Sequence, residues 1–301
     1  MKKLIVLLWL LFAGHFAFSQ FDSPLWWGKR SVSGWDLFSL KSKPRSLEQI
    51  AYKVTENNGK VEKGERSHPF YVSLNGDFYL EFDSLGRTTR EKSSDEGEVR
   101  DLAHIYDAVK NTESITFPYN KGKYYHKTVY SYNSAGKISK VFWQSIYGYG
   151  GNGEYHSTLT KKFDGKGNEI ESDNVSVGRD ESINTKTRSY YNAKNQLICL
   201  DGYGENGAFW NRQKNTYDLK GRCIKEEYYT TDTTKIEHSM TYTYNDQGSV
   251  IKKEYYSPPL KIPSKIFTYE YVYDKQGNWI RRTDYENGKA TAIIERELMY
   301  Y

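Results

Sequence analysis

The chain is poor in the residues that most often carry chemistry. Its 301 residues hold two cysteines, Cys199 and Cys223, and no Cys-x-x-Cys pair, which removes a thiol redox motif and a zinc site built on paired cysteines. Five histidines follow the first twenty residues, His68, His104, His126, His156 and His238. None stands at a metal-ligand spacing from another or from a cysteine. No Gly-x-Ser-x-Gly elbow, phosphate loop or His-Glu-x-x-His occurs, so no cofactor, no metal and no catalytic residue is expected. Apolar runs are short beyond the very start, and mean hydropathy is -0.81, which excludes a chain of several spanning helices. Charge of one sign is lacking too: 43 Lys and Arg stand against 38 Asp and Glu with no basic run, so a nucleic-acid partner is excluded.

What is present begins with an export address. Lys2 and Lys3 precede the apolar run Leu4 to Ala13, and Ala17-Phe18-Ser19 gives small residues before Gln20, the layout of a cleaved signal peptide over 1–19. A leader ending in Ser-Gln resembles those of exported Bacteroidota proteins. Cleavage removes two lysines and no acid, lowering the formal charge from +5 to +3. The expected location is the periplasm or the cell exterior, with no transmembrane segment in the mature chain.

Aromatic residues make up 16% of the chain, 28 of them Tyr, and they are arranged periodically. The pattern aromatic, Asx, any two, Gly (once Asn) occurs at Phe82-Asp83, Tyr132-Asn133, Phe163-Asp164, Tyr191-Asn192, Tyr217-Asp218, Tyr244-Asn245 and Tyr273-Asp274. From the second copy onward the period is about 28 residues. Asx accepts a backbone hydrogen bond two residues on and Gly supplies positive φ, so each copy reads as a hairpin tip. The Asp residues read as turn formers rather than calcium ligands, because equivalent turns two strands on lie ~10 Å apart. Asn-Gly pairs at 58–59, 75–76, 152–153, 206–207 and 287–288 turn the chain at the opposite strand ends. Ile170, Ile198, Ile224, Ile251 and Ile280 follow their turns at one spacing and are expected to form the core stripe.

These turns and the Tyr-Val-Tyr-Asp-Lys-Gln-Gly-Asn-Trp-Ile segment at 271–280 resemble the YD or RHS-type repeat family of exported bacterial proteins. The resemblance covers roughly residues 46–301 and implies long β-hairpin sheets that coil into shells around toxins or serve surface attachment. The expected fold is all-β: an antiparallel meander of tandem hairpins forming an extended, twisted or curled sheet. Residues 20–45, with Trp26, Trp27 and Trp35, read as an irregular cap over a sheet edge, and 46–301 as a single domain. One short helix is expected near 95–110, where Val99, Leu102, Tyr106 and Val109 have helical spacing behind Asp95 and Glu98. Cys199 and Cys223 are expected on one face, opposite the isoleucines. A strand between them separates them by ~10 Å, where a disulfide needs about 5.5 Å, so both are expected as free thiols.

The surface feature with the most to say is duplicated. Gly148-Tyr-Gly-Gly-Asn-Gly-Glu-Tyr155 matches Gly202-Tyr-Gly-Glu-Asn-Gly-Ala-Phe209, two periods apart. Trp143, Tyr147, Tyr149, Tyr155, Tyr203, Phe209 and Trp210 are the candidate ligand-binding residues, because rigid rings stack on flat sugar faces at little entropic cost. The function expected is that of an exported, non-enzymatic repeat protein binding a glycan or an envelope protein. A glycan-active hydrolase with two carboxyls on a concave face and a structural or toxin-associated scaffold remain as alternatives.

Overall fold

The Asx turns set the geometry of everything between them. A computed structural model describes residues 38–67, 77–95, 98–119, 124–147, 153–177 and 182–301; the expected leader, residues 20–37 of the expected cap, and the loop 148–152 with Tyr149 lie outside the described residues. In the first copy Asp83 Oδ1 accepts the backbone N–H groups of Leu85 and Arg87, both at 2.9 Å. Asn133 does the same with Ala135 and Lys137 at 3.0 Å. The closing residue has positive φ in all seven copies, reaching +86° at Gly248 and held at +59° by Asn195, a region most L side chains avoid.

Between turns the chain runs as strands β1 (Pro44–Asn57), β2 (Lys60–Arg66), β3 (Phe78–Phe82), β4 (Thr88–Asp95), β5 (Glu98–Asp107), β6 (Thr112–Tyr119), β7 (Tyr124–Tyr132), β8 (Ile138–Tyr147) and β9 (Gly153–Phe163). It continues as β10 (Glu169–Val177), β11 (Ser182–Tyr191), β12 (Leu197–Tyr203), β13 (Phe209–Tyr217), β14 (Cys223–Tyr229), β15 (Ile236–Tyr244), β16 (Val250–Tyr256), β17 (Lys265–Tyr273), β18 (Trp279–Glu286) and β19 (Lys289–Tyr300). Neighbours from β3 to β19 pair antiparallel in chain order.

The sheet closes, which corrects the open or curled sheet expected from the repeat. β1 pairs with β19 from Pro44↔Tyr300 to Tyr52↔Ile293 and, on its other side, with β3 through Ser46–Gln49. The result is an antiparallel barrel of 18 strands, with β2 pairing β1 beyond the end of β3. The physical reason lies in β1. At 14 residues it is long enough to satisfy the unpaired backbone groups of both ends of the meander at once, and closure removes edges altogether.

The helix near 95–110 is also corrected. Asp95 and Glu98 end two adjacent strands and lie opposite one another. Leu102, His104 and Tyr106 fit a period of two as well as the helical spacing, and strands β4 and β6 supply ladder partners on both sides, so the strand period wins. Among the described residues the one helical element is the 3-10 turn Glu205–Gly207.

The isoleucine column proves to be a column of bulges. Register shifts leave Ile198, Ile224, Ile251 and Ile280 without a cross-strand partner, and Ile170 and Ile198 are exposed. The core column sits one residue earlier, at the buried Ile138, Cys223, Val250 and Trp279. A bulge residue reverses side-chain parity, so Cys223, before its bulge, and Cys199, after its own, stand on opposite faces. This corrects the shared face expected for them: both thiols are free, kept apart by the wall rather than by an intervening strand on one face.

In a closed barrel the concave side crowds its side chains, so the buried parity is the inner one. It carries the clusters Leu47, Phe78, Leu80 and Phe82, and Ala51, Trp279 and Ile294 with Tyr271 and Tyr273 packed on them. The outer parity is a lattice of charge: Lys162 and Glu171, Lys186 and Asp173, Arg212 and Asp201, Lys225 and Glu227, and Lys252 and Glu254 all pair along or across strands.

Candidate functional site

Strict alternation in β11 places Ser182, Asn184, Lys186 and Arg188 on the outer face, and the β12–β13 loop folds beside them. Together with Tyr203 and Glu205 they line an open concavity of about 630 Å³, within the range of small-ligand sites. Tyr203 is opposite Phe209 at the base of the hairpin, their rings edge to face at 5.9 Å and 82°. The guanidinium of Arg188 lies 5.3 Å from the Tyr203 ring centre and that of Arg212 lies 5.6 Å from Phe209, geometries that hold rings by cation–π attraction.

The charges around these rings are satisfied internally. Lys186 Nζ is 3.2 Å from Asp173 and 3.6 Å from Glu171, and Arg188 Nε is 3.4 Å from Glu171. Hydrogen bonding from Lys162 holds the Glu171 carboxyl below its usual range. Arg212 donates two bonds to the buried Asp201, at 2.6 and 2.7 Å. Burial pushes the Asp201 carboxyl up, and the Arg212 bonds overcome it, so its pKa is lowered. Burial, then the Asp201 charge, raises the Cys199 thiol to about 11, which removes it as a nucleophile at neutral pH. The groups left to face a ligand are the Tyr203 ring, the hydroxyl of Ser182, the amides of Asn184 and Asn206, the exposed Glu205 carboxylate and loop backbone.

Of the seven residues singled out by sequence, Tyr203 and Phe209 come together here. Trp210 follows Phe209 at a register shift and packs near Gly204. Trp143 lies on β8 opposite Thr128 and Ser157, on the inner parity, four strands away from β12 or roughly 19 Å. Tyr147 and Tyr155 end β8 and begin β9, their side chains outside the described residues. Ser182, Asn184, Lys186 and Arg188 were not singled out by sequence; the signal that could have found them is their period-two spacing beside the hairpin.

The inner wall carries two buried polar clusters. His104 Nδ1 is 2.5 Å from Glu113 Oε1, and the Tyr132 hydroxyl donates to Glu113 Oε2. On the other side of His104, Nε2 faces Glu91 at 3.8 Å, an ion-pair distance, and makes no hydrogen bond. Burial alone would lower the His104 pKa; Glu113 and Glu91 together outweigh it and raise it to about 9. Farther round, Glu226 accepts from Tyr242 at 2.7 Å, Tyr228 at 3.0 Å and Gln213 at 3.3 Å. Burial drives its pKa up to about 7 against the pull of these hydroxyls. Both clusters are built into the wall, where they cross-link strands.

A family model described only as an uncharacterised protein matches residues 211–298. No curated protein matches the chain. Among solved structures, a porin-like protein from Bacteroides uniformis is similar over 90% of this chain and 100% of that one, at 11% identity and a TM-score of 0.41. A Photorhabdus luminescens Tc holotoxin pore aligns over 72% of this chain and 16% of that one, at 12% identity and a TM-score of 0.22. None of these descriptions names a YD or RHS repeat, and likeness at these scores leaves function to be argued from the residues.

Proposed function

We propose that the chain is an exported, non-enzymatic β-barrel of the cell envelope that stands in water and binds a glycan in the concavity beside the β12–β13 hairpin. The carrying observation is the composition of that concavity: a Tyr ring held in place by Arg188 and Phe209, bordered by the Ser182 hydroxyl, the Asn184 and Asn206 amides and the Glu205 carboxylate. Its cations already have Glu171 and Asp173 as partners. A neutral, hydroxyl-rich ligand with a flat apolar face suits such a site better than a free anion does.

The outer wall supports a soluble barrel. A membrane-spanning barrel presents an apolar band ~25 Å tall, and one Arg or Lys at its midplane costs ~2–4 kcal/mol. Here Asp173, Lys186, Arg212, Glu227, Glu254 and Glu270 occupy outward positions on six of the eight strands from β10 to β17. No helix among the described residues is long and apolar enough to cross a membrane, which by itself says nothing of strands; the charge lattice is what argues against a lipid-facing wall.

A glycan array with the mature protein tests the binding. Tyr203→Ala and Phe209→Ala are each expected to lower retention about tenfold, the loss of one stacked ring, with unchanged far-UV circular dichroism. Retention equal to the parent protein in both variants would remove the hairpin from the proposal.

A further inference from the structure

The Asx turns all lie at one end of the barrel, opposite the β12–β13 hairpin, and that rim has an unusual surface. Leu219 is 98% exposed, Val109 97% and Leu85 66%, each at the tip of a turn. Leu85 and Val109 sit on neighbouring hairpins, while Leu219 lies nearly half-way round the ring of 18 strands. The three apolar tips thus stand on opposite sides of one rim. Exposed lysines stand among them at Lys110, Lys166, Lys194, Lys220 and Lys275. The turn acids are directed elsewhere: Asp83, Asp107, Asp164 and Asp218 accept backbone N–H groups of their own turns. Lysines and apolar tips project and the Asx carboxylates fold back, with Lys110 pairing Asp107 at 3.5 Å and Asp246 the exposed acid at the Asn245 turn.

We infer that this rim docks on an anionic lipid surface, the apolar tips entering the headgroup layer and the lysines meeting lipid phosphates. Apolar insertion combined with basic residues is the chemistry of reversible membrane attachment. The docked barrel holds its β12–β13 hairpin at the far end, directed away from the lipid. This inference stands independently of the glycan reading, since the two surfaces share no residue.

Co-sedimentation of the mature protein with vesicles of phosphatidylglycerol and phosphatidylethanolamine, against pure phosphatidylcholine, is the test. Binding to the anionic vesicles is expected to be at least about tenfold stronger and to fall steeply as salt rises. Val109→Ser with Leu219→Ser, and separately Lys166→Gln with Lys194→Gln and Lys220→Gln, are each expected to reduce it about tenfold. Leu260→Ser with Ile262→Ser, exposed residues at the opposite end, should leave it unchanged. Equal binding to both vesicle types, no binding to either, or full binding by the folded rim variants would overturn the assignment, as would loss in the control pair.

Discussion

Glu226 shows how a single buried group ties this barrel to pH. Its carboxyl is raised from an ordinary 4.5 to about 7, first by burial, against the hydrogen bonds of Tyr242 and Tyr228. A folded pKa above the unfolded one means that the native state holds the proton more tightly. The associated stability is complete below pH 4.5 and is lost as pH rises through 7. His104 has the same sign: raised from 6.5 to about 9, it contributes most below pH 6.5 and loses that contribution through pH 9. Thermal unfolding is therefore expected to show a midpoint that falls between pH 5 and pH 9. Glu226→Gln keeps an acceptor for the two tyrosines and should flatten the lower half of that fall, with a gain of roughly 3 kcal/mol at pH 8 as an upper bound. A midpoint that rises over this range would contradict the buried-acid account. Neither cluster could be read from sequence, because Glu91, His104 and Glu113 meet only through the register of three strands.

At the scale of the element, the turn is the unit that sequence specifies best. Asx and Gly in the aromatic-Asx-x-x-Gly copies close each turn through bonds within five residues, so the turn itself is read without a distant contact, although some copies also bond across strands, as Asn245 does with Tyr273 and Asp274 with Tyr300. Gly248 isolates the backbone component: its φ is +86° and an added Cβ would meet nothing within 4 Å. Gly248→Ala should cost about 1–2 kcal/mol by denaturant unfolding, wholly from the left-handed conformation, whereas Asn195→Gly at φ +59° should be neutral or stabilising. A harmless Gly248→Ala would show that the turn relaxes freely. The isoleucine column went astray at this same scale. Spacing after the turn is regular, but the bulge falls on the isoleucine and leaves the core position one residue earlier, a shift invisible to a period count.

The whole molecule is defined by closure. In a ring, β1 and β19 are interior strands, and amide hydrogen exchange should protect 44–52 and 293–300 as strongly as the central hairpins around 236–256. Rapid exchange confined to β1 and β19 would mark them as free edges and return the fold to an open sheet. Closure also separates the two functional surfaces argued above, the hairpin concavity at one end and the turn rim at the other, because every hairpin has one end of each kind. It divides the candidate rings as well: Trp143 falls on the inner parity and Tyr203 on the outer, so a set that looked contiguous through loop similarity was split by the wall between them.

Sequence alone determined the strand-and-turn grammar: all-β, antiparallel, and Asx turns with positive-φ closing residues. These features rest on interactions within a hairpin, where the participating residues are neighbours in the chain. Tertiary structure decided whether the meander closes, which face of each strand is inner, and which rings meet. Those outcomes depend on pairing between Pro44 and Tyr300, some 250 residues apart, and on bulges that change register. A local pattern carries no information about a partner that reaches it only after the chain has gone once round.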